Sequence, residues 1–187
     1  MAWSPKRLLD VGCGDGHVVK ALRRPHVGLD LNPGRVEGQV VTADATRLPF
    51  PAASFDTVLS IAVLTYIEDD AQALREMRRV LTRQGRLVLM VAHATPATRH
   101  FGPVDKPASA RDYTPGRLHR LLAAAGFRVT ASRLSYFYSP IAPLAFNRLA
   151  GTLGVLFPSG LKMLSGMSGL VPGRWRGQLF VIAECTD

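Results

Sequence analysis

The sequence is poor in cysteine and has no long apolar run. Its two cysteines, Cys13 and Cys185, cannot form a disulfide framework, so a reducing, cytoplasmic setting is expected. No stretch reaches the roughly 18 to 20 apolar residues of a membrane-spanning helix, and the start of the chain lacks the apolar run of a signal peptide. The 187 residues, 47% of them hydrophobic, predict a single globular domain over residues 1–187.

Acidic residues are scarce in the second half of the chain. Between Tyr113 and Ala183 there is no aspartate or glutamate, while basic residues are spread along the whole stretch. The net charge of +9 therefore divides into +2 for residues 1–95 and +7 for residues 96–187. Such a half should attract phosphate groups, whether on a substrate, a lipid surface or nucleic acid. The alternative is that these arginines only solvate the surface.

Short apolar runs alternate with helical patterns along the chain. Strands are predicted at 7–11, 26–30, 39–44, 55–63, 86–91, 127–137 and 177–184. Helices are predicted at 15–24, 69–81 and 114–126. This alternation predicts an α/β fold whose sheet is mainly parallel and has helices on both sides.

A long segment separates the last two predicted strands. Residues 139–177 form an insertion of 39 residues where a short hairpin would be usual. Two helices are predicted within it, apolar around most of their circumference, with Arg148 and Lys162 as their only charges. Helices of this kind must bury against something. They could cover the domain, form an apolar substrate tunnel or lie on a membrane surface, or make a dimer interface.

A glycine loop follows the first predicted strand in "LLDVGCGDGHV". A loop of this kind lets a ligand approach the backbone closely, with a helix N-terminus behind it. Dinucleotides favour G-x-G-x-x-G, whereas His17 occupies the place of the third glycine here. The carboxylate of Asp10 would oppose a pyrophosphate, yet it suits a ligand with an ammonium group. The loop therefore favours an amino-acid nucleoside over a dinucleotide.

At this point the chain resembles the class I S-adenosylmethionine-dependent methyltransferases, in their small-molecule, methyltransferase type 11-like branch. The resemblance covers about residues 7–136 and the last strand, and it depends on several motifs in register. These motifs are "DVGCGDG", "GLD", "ADATRLPFPAASFDTVLS", "ALREMRRVLTRQGRLVLMV" and "LLAAAGFRV". The resemblance implies a Rossmann-like, doubly wound sheet of seven strands with an antiparallel last strand, and S-adenosylmethionine as the cofactor.

The resemblance also assigns residues to each part of that cofactor. The methionine end would be held by Asp10, Gly12, Gly14 and Gly16. The nucleoside would be bound by Asp30 at the ribose, Leu31 on the adenine ring, and Asp44 with Ala45 at the adenine amino edge. Ser60 and Ile61 would line the floor beside the sulfonium. Asp30 and Asp44 also end neighbouring predicted strands, where a ribose would lie, and turn or cap chemistry is their alternative role.

Methyl transfer is an in-line displacement on an already activated sulfonium. The protein must therefore supply position and water exclusion, and a base only if the acceptor carries a proton. His93, just beyond the fifth strand, and Tyr66, where the family often has a histidine, are the candidates for catalysis or the substrate pocket. Loop, cap or pocket packing is the alternative for both. The scattered histidines show no metal-ligand spacing.

Two features depart from the family pattern. The first strand begins by about Arg7, so either the chain is short at its start or Met1 lies inside a longer gene product. Only residues 31–38 connect the second and third strands, which predicts a more open adenine side.

The prediction from the sequence is methyl transfer from S-adenosylmethionine to a small, apolar or lipid-like acceptor. We expect a cytoplasmic protein with possible contact to anionic membrane surfaces or dimerisation through the inserted helices. One alternative is a binding protein that keeps the fold without catalysis. Another is a nucleic-acid methyltransferase, which is disfavoured because "SIAVLTY" replaces the expected Asn/Asp-Pro-Pro-aromatic motif.

Overall fold

The computed structural model describes residues 6–16, 26–34, 38–93, 111–137 and 176–186. Its seven strands are β1 (Leu8–Val11), β2 (His26–Asp30), β3 (Gln39–Thr42), β4 (Phe55–Ile61), β5 (Leu81–Ala92), β6 (Phe127–Phe137) and β7 (Arg176–Cys185). The described helices are a 3₁₀ helix, η1 (Leu64–Tyr66), and two α-helices, α1 (Asp70–Val80) and α2 (Pro115–Ala124).

The strands form one mixed sheet in the order β3-β2-β1-β4-β5-β7-β6. Strands β3, β2, β1, β4 and β5 pair in parallel, whereas β7 is antiparallel to both β5 and β6. The predicted Rossmann-like, mainly parallel sheet is confirmed. Because β2 and β4 flank β1, the strand order reverses at β1, and ligands of such sheets bind beyond the carboxyl ends of the strands at that point.

One face of the sheet carries the main core. Buried side chains of α1 and α2, such as Leu74, Met77 and Leu118, form one cluster with alternate residues of β1, β5 and β7 and with two residues of β4. Leu8 and Leu59 point to the opposite face, where they pack with Val88. Successive side chains of a strand point to opposite faces, so a shift of one residue along the strand changes the face on which a side chain lies.

Capping groups set where the two α-helices begin. The Asp69 carboxylate accepts a hydrogen bond from the Gln72 amide at 2.9 Å, and the Thr114 hydroxyl accepts one from the Arg117 amide at 3.3 Å. Proline follows Thr114 in the first turn of α2, a position where its missing N–H costs nothing. The predicted helices at 69–81 and 114–126 are confirmed within a few residues.

Several strand boundaries differ from the prediction. β3 ends at Thr42, and β4 ends at Ile61 because Ala62 has a φ of 61° that turns the chain out of the strand. β5 begins at Leu81, which pairs with Phe55 before a register shift. β7 begins at Arg176, so the last two residues assigned to the insertion at 139–177 belong to the sheet.

Other predicted elements lie outside the described residues. These are most of the helix predicted at 15–24 and the inserted segment as far as residue 175. Within the described ranges, no helix has the length and apolar character needed to cross a membrane.

Candidate functional site

Backbone hydrogen bonds hold the glycine loop after β1 against the end of β2. The amide of Gly12 donates to the Leu29 carbonyl at 2.6 Å, and the amide of Cys13 donates to the same oxygen at 3.1 Å. Gly12 has a φ of 75°, and a Cβ at this position would overlap the side chain of Val63. Only glycine satisfies both the left-handed backbone and the close approach of the chain after β4.

Asp30 joins this loop to the turn after β2. One carboxylate oxygen accepts a hydrogen bond from the Gly14 amide at 2.9 Å, and the other accepts one from the Asn32 amide at 2.9 Å. Gly34 completes the junction by donating its amide to the Gly14 carbonyl at 3.0 Å. A carboxylate has about four acceptor sites, so Asp30 can shape the loop and still accept hydrogen bonds from a ligand.

Asp44 is held by a turn of its own after β3. Its Oδ1 accepts hydrogen bonds from the Thr46 amide and hydroxyl, both at 2.8 Å. These bonds to the ionised form lower the pKa of Asp44. Asp44 therefore stays charged at neutral pH in a fixed orientation. The turn chemistry considered for Asp30 and Asp44 is present at both residues, and both also lie at the wall of a cavity.

That cavity has a volume of about 740 Å³ and lies beyond the carboxyl ends of β1, β2 and β4. Its wall contains four carboxylates, those of Asp30, Asp44, Glu68 and Asp69, and among the described residues that line it there is no lysine, arginine or histidine. The cavity is therefore locally acidic in a chain of net charge +9. Such a wall favours a cationic ligand and opposes a pyrophosphate.

Two exposed apolar side chains also belong to the wall. Leu31 is 71% exposed and Tyr66 is 58% exposed, although Leu31 is a large aliphatic residue and Tyr66 is an aromatic one. Ligand cavities commonly combine such apolar surfaces with a few polar groups that fix orientation. Leu31 and Tyr66 thus provide surfaces on which a flat ring could pack.

Asp10 lies on β1 just before the loop and is only 2% exposed. Its Oδ2 has no hydrogen-bond partner within the described part of the chain. Burial raises the pKa of Asp10 to about 6, an effect that nearby His26 reduces and Asp30 increases. A buried carboxylate with an unmatched oxygen is costly, and a cationic group arriving nearby would relieve that cost.

The structure brings most of the predicted site residues to this cavity. Those in its wall are Gly12, Asp30, Leu31, Asp44, Ala45, Ile61 and Tyr66. Gly14 and Gly16 belong to the loop but not to the wall, and Asp10 is buried on β1, two residues before Gly12. The binding and catalytic roles assigned to these residues stay predictions.

Ser60 and His93 are placed elsewhere. Ser60 was expected on the cavity floor, but it is fully buried and is not a wall residue. Ile61 shares the sheet face of Leu59, and the alternation along β4 turns Ser60 to the helix-covered face. His93 is 7% exposed and forms an isolated bridge with Tyr113, so it too lies outside the wall.

Sequence reasoning missed several wall residues. They follow β3 and β4 and comprise Ala43, Thr46, Ala62, Val63, Ile67, Glu68 and Asp69. Asp69 was visible in the sequence only as the start of the helix predicted at 69–81, and Glu68 lies outside that helix. Their position at the wall depends on how the chain turns after β4, which no local pattern indicates.

Comparison with known proteins identifies the family. A family model described as "Methyltransferase domain" matches residues 9–89. A protein from Encephalitozoon cuniculi, whose name assigns it provisionally to the methyltransferases, is 30% identical over 167 residues, covering 84% of this chain and 70% of that protein. The demethylmenaquinone methyltransferase of Deinococcus radiodurans is 36% identical over 163 residues, covering 78% and 64%. The chain belongs to the class I S-adenosylmethionine-dependent methyltransferases.

Two further findings limit what family membership establishes about the activity of this chain. The chain spans about half to two thirds of the length of several curated relatives, from 48% to 65%. The solved structure of the cyclase SpnF matches with a TM-score of 0.64 and 21% identity, covering 96% of this chain and 75% of that one. Its name describes a cyclisation, so this fold by itself does not specify methyl transfer.

The cofactor of this family, S-adenosylmethionine, fits the residues that are present. Its amino-acid part carries an ammonium group and its sulfur is a cation, while the cavity wall is acidic and Asp10 has an unmatched buried oxygen. Among the described residues, no group of three or more His, Cys, Asp or Glu side chains is arranged to hold a metal ion.

Proposed function

We propose that this chain transfers a methyl group from S-adenosylmethionine to a small acceptor. The observation that carries the proposal is the acidic cavity at the point where the strand order reverses, closed on one side by a glycine loop that Asp30 holds in place. A neutral or phosphate-bearing ligand would gain little from four carboxylates, whereas a sulfonium compound would be attracted by them.

The chain's own residues then have four tasks. S-adenosylmethionine supplies the activated methyl group when bound, so little covalent chemistry is left to the protein. The glycine loop admits the amino-acid end, with Asp10 as the counter-charge, and Asp30 accepts hydrogen bonds from the ribose. Leu31 packs on the adenine, while Asp44 and Ala45 meet its amino edge. Ile61 forms the floor on the side where the acceptor approaches.

For the acceptor, we propose a small apolar or lipid-like molecule. A relative in Deinococcus radiodurans is named as acting on demethylmenaquinone, which supports an apolar acceptor. The net charge of +7 in residues 96–187 supports a phosphate-bearing headgroup or an anionic membrane surface nearby. A cytoplasmic protein that contacts the membrane peripherally, or a dimer formed through the inserted segment, would be consistent with this composition. His93 stays the proposed base if the acceptor carries a proton.

A thermal-shift experiment with a panel of ligands tests the cofactor. We expect S-adenosylmethionine and S-adenosylhomocysteine to raise the melting temperature, and NAD to leave it unchanged. Asp30→Ala should abolish the shift, because it removes both the ligand contact and the carboxylate that holds Gly14. Glu184→Gln is the matched control, since Glu184 pairs with Arg86 and Arg128 and none of the three lines the cavity. Stabilisation by NAD alone would refute the proposal.

Transfer of a labelled methyl group tests the acceptor. Purified protein would be given labelled donor together with either a lipid extract rich in quinols or a mixture of polar amines. The proposal predicts label in the lipid fraction, and label only among the amines would contradict it. Co-sedimentation with vesicles, with and without anionic lipid, tests the membrane contact separately.

One alternative is a protein that keeps the fold and binds the cofactor without transferring its methyl group, since the fold also occurs in a protein named as a cyclase. Cofactor binding without label transfer to any acceptor class would support that alternative. Salt-dependent binding to duplex DNA or RNA would instead support a nucleic-acid methyltransferase.

A further inference from the structure

A buried polar cluster lies directly behind one wall of the cavity. At its centre is Asp70, 6% exposed, whose Oδ2 accepts a hydrogen bond from the Tyr113 hydroxyl at 2.8 Å. The guanidinium groups of Arg117 and Arg111 approach the same oxygen at 3.2 and 3.5 Å. Tyr113 is fully buried, and Arg117 lies over its ring at 5.0 Å from the ring centre.

The chemistry of the cluster keeps the phenol as a donor. Burial and the neighbouring Asp70 carboxylate both raise the pKa of Tyr113, so its hydroxyl holds its proton throughout the physiological range. A neutral phenol that donates to a carboxylate forms a charge-assisted hydrogen bond, which is stronger than one between neutral groups. Asp70 and Tyr113 are therefore a firm link between the first residue of α1 and the chain that precedes α2.

This link also holds the short helix η1. The Tyr113 hydroxyl lies 3.3 Å from the Leu64 carbonyl, and the Arg111 amide donates to the Thr65 carbonyl at 2.9 Å. Tyr113 is itself fixed to the end of β5, because its amide donates to the Ala92 carbonyl at 2.8 Å. A 3₁₀ helix of three residues has little stability of its own, so these outside contacts determine where it lies.

The segment held in this way forms the cavity wall. Tyr66, Ile67, Glu68 and Asp69 all line the cavity, and they lie between the contacts at Leu64 and Thr65 and the contact at Asp70. The cluster itself does not line the cavity, so Asp70 and Tyr113 can affect a ligand only through this segment.

We propose that Asp70 and Tyr113 are positioning residues for the cofactor cavity, holding the wall segment 66–69 in the arrangement that binds S-adenosylmethionine. The proposal rests on the proposed function for its ligand but not for its geometry. It predicts that removing the Tyr113 hydroxyl weakens cofactor binding. This weakening should be larger than the loss of folding stability alone would cause.

The test is Tyr113→Phe, with cofactor affinity measured by calorimetry well below the melting transition. We expect the dissociation constant for S-adenosylhomocysteine to rise about tenfold, because one charge-assisted hydrogen bond is lost. Tyr66→Ala and the double variant complete a cycle. If Tyr113 acts through the wall segment, the two losses must be less than additive.

Arg78→Gln is the control for a purely structural role. Arg78 lies on α1, as Asp70 does, and donates to the Gly126 carbonyl at 3.1 Å and the Thr186 carbonyl at 2.8 Å, and none of these three residues lines the cavity. This variant should lower the melting temperature and leave cofactor affinity unchanged. The proposal is overturned if Tyr113→Phe behaves in the same way, or if its loss of affinity adds fully to that of Tyr66→Ala.

Hydrogen exchange without cofactor keeps this test separate from the proposed function. The amides of Tyr66 and Ile67 donate to the Val63 and Leu64 carbonyls at 2.8 and 3.3 Å. In Tyr113→Phe these amides should exchange at least several-fold faster, while amides in the second half of α1 keep their rates. If wild-type protein fails to bind the cofactor, the proposed function fails, and the exchange result still decides whether Tyr113 positions the wall. Unchanged exchange at Tyr66 and Ile67 would refute the positioning role.

Discussion

Replacing Asp10 by asparagine should make the protein more stable and less able to bind its cofactor. Burial raises the pKa of Asp10 from its ordinary value of 3.8 to about 6. Below pH 3.8 the carboxyl is protonated in both the folded and the unfolded chain, so it contributes nothing to the pH dependence. As the pH rises towards 6 the unfolded chain releases this proton first, and folding loses stability. Above pH 6 the full penalty is present.

The size of that penalty follows from the shift. About two pKa units correspond to about 3 kcal/mol, because each unit is worth about 1.4 kcal/mol. Asp10→Asn removes the charge at nearly constant volume, so at pH 7.5 it should raise the free energy of unfolding by up to about 3 kcal/mol. A buried amide with too few partners reduces that gain. For a chain of this size, each kcal/mol corresponds to roughly 2–4 °C in melting temperature.

Thermal unfolding of cofactor-free protein at pH 7.5 and pH 4 is the assay. Asp10→Asn should melt several degrees higher than wild type at pH 7.5, and the difference should shrink at pH 4, where Asp10 is protonated. Titration with S-adenosylmethionine should show the opposite effect, a loss of affinity. Glu184→Gln, which removes a carboxylate paired with arginines, should give no stabilisation. A variant that is less stable than wild type at pH 7.5, or that binds the cofactor equally well, would refute the assignment of Asp10 as a counter-charge.

Three further perturbations test other parts of the structure. Affinity of wild type for S-adenosylmethionine should fall about tenfold between pH 7 and pH 5, since only about one Asp10 carboxyl in ten is ionised at pH 5; a flat calorimetric profile would contradict this. Gly12→Ala should cost about 1–3 kcal/mol of stability and most cofactor binding, because its φ is 75° and a Cβ would overlap Val63, and denaturant unfolding with binding titration would measure both. Leu74→Ala, in the core at 0% exposure, should cost about 2–5 kcal/mol in denaturant unfolding while affinity measured on the folded fraction is retained.

The mainly parallel pairing of the strands was predictable from local patterns, whereas the doubly wound topology with an antiparallel last strand came from the family resemblance. Apolar runs that end on Asp30 and near Asp44 placed both carboxylates at one edge of the sheet, and the structure finds both in the cavity wall. Such predictions succeed because parallel strands bring their carboxyl ends together whatever the side chains between them.

Contacts across long stretches of sequence were not predictable. Tyr113 and Asp70 are 43 residues apart, and no local pattern indicates that the turn before α2 returns beside η1. Ser60 shows another difficulty. Adjacent residues of a strand face opposite sides of the sheet, and the sequence at the end of a strand does not show which of two neighbours faces the ligand. The alternation along β4 places Ile61 rather than Ser60 in the cavity wall, and the positive φ of Ala62 ends the strand directly after it.

Calorimetric titration of the wild-type protein with S-adenosylmethionine tests the central claim most directly. The acidic cavity predicts saturable binding of one molecule per chain, weakened by added salt and lost in Asp30→Ala. Absence of any saturable heat from a folded sample, or binding that Asp30→Ala leaves unchanged, would contradict the account.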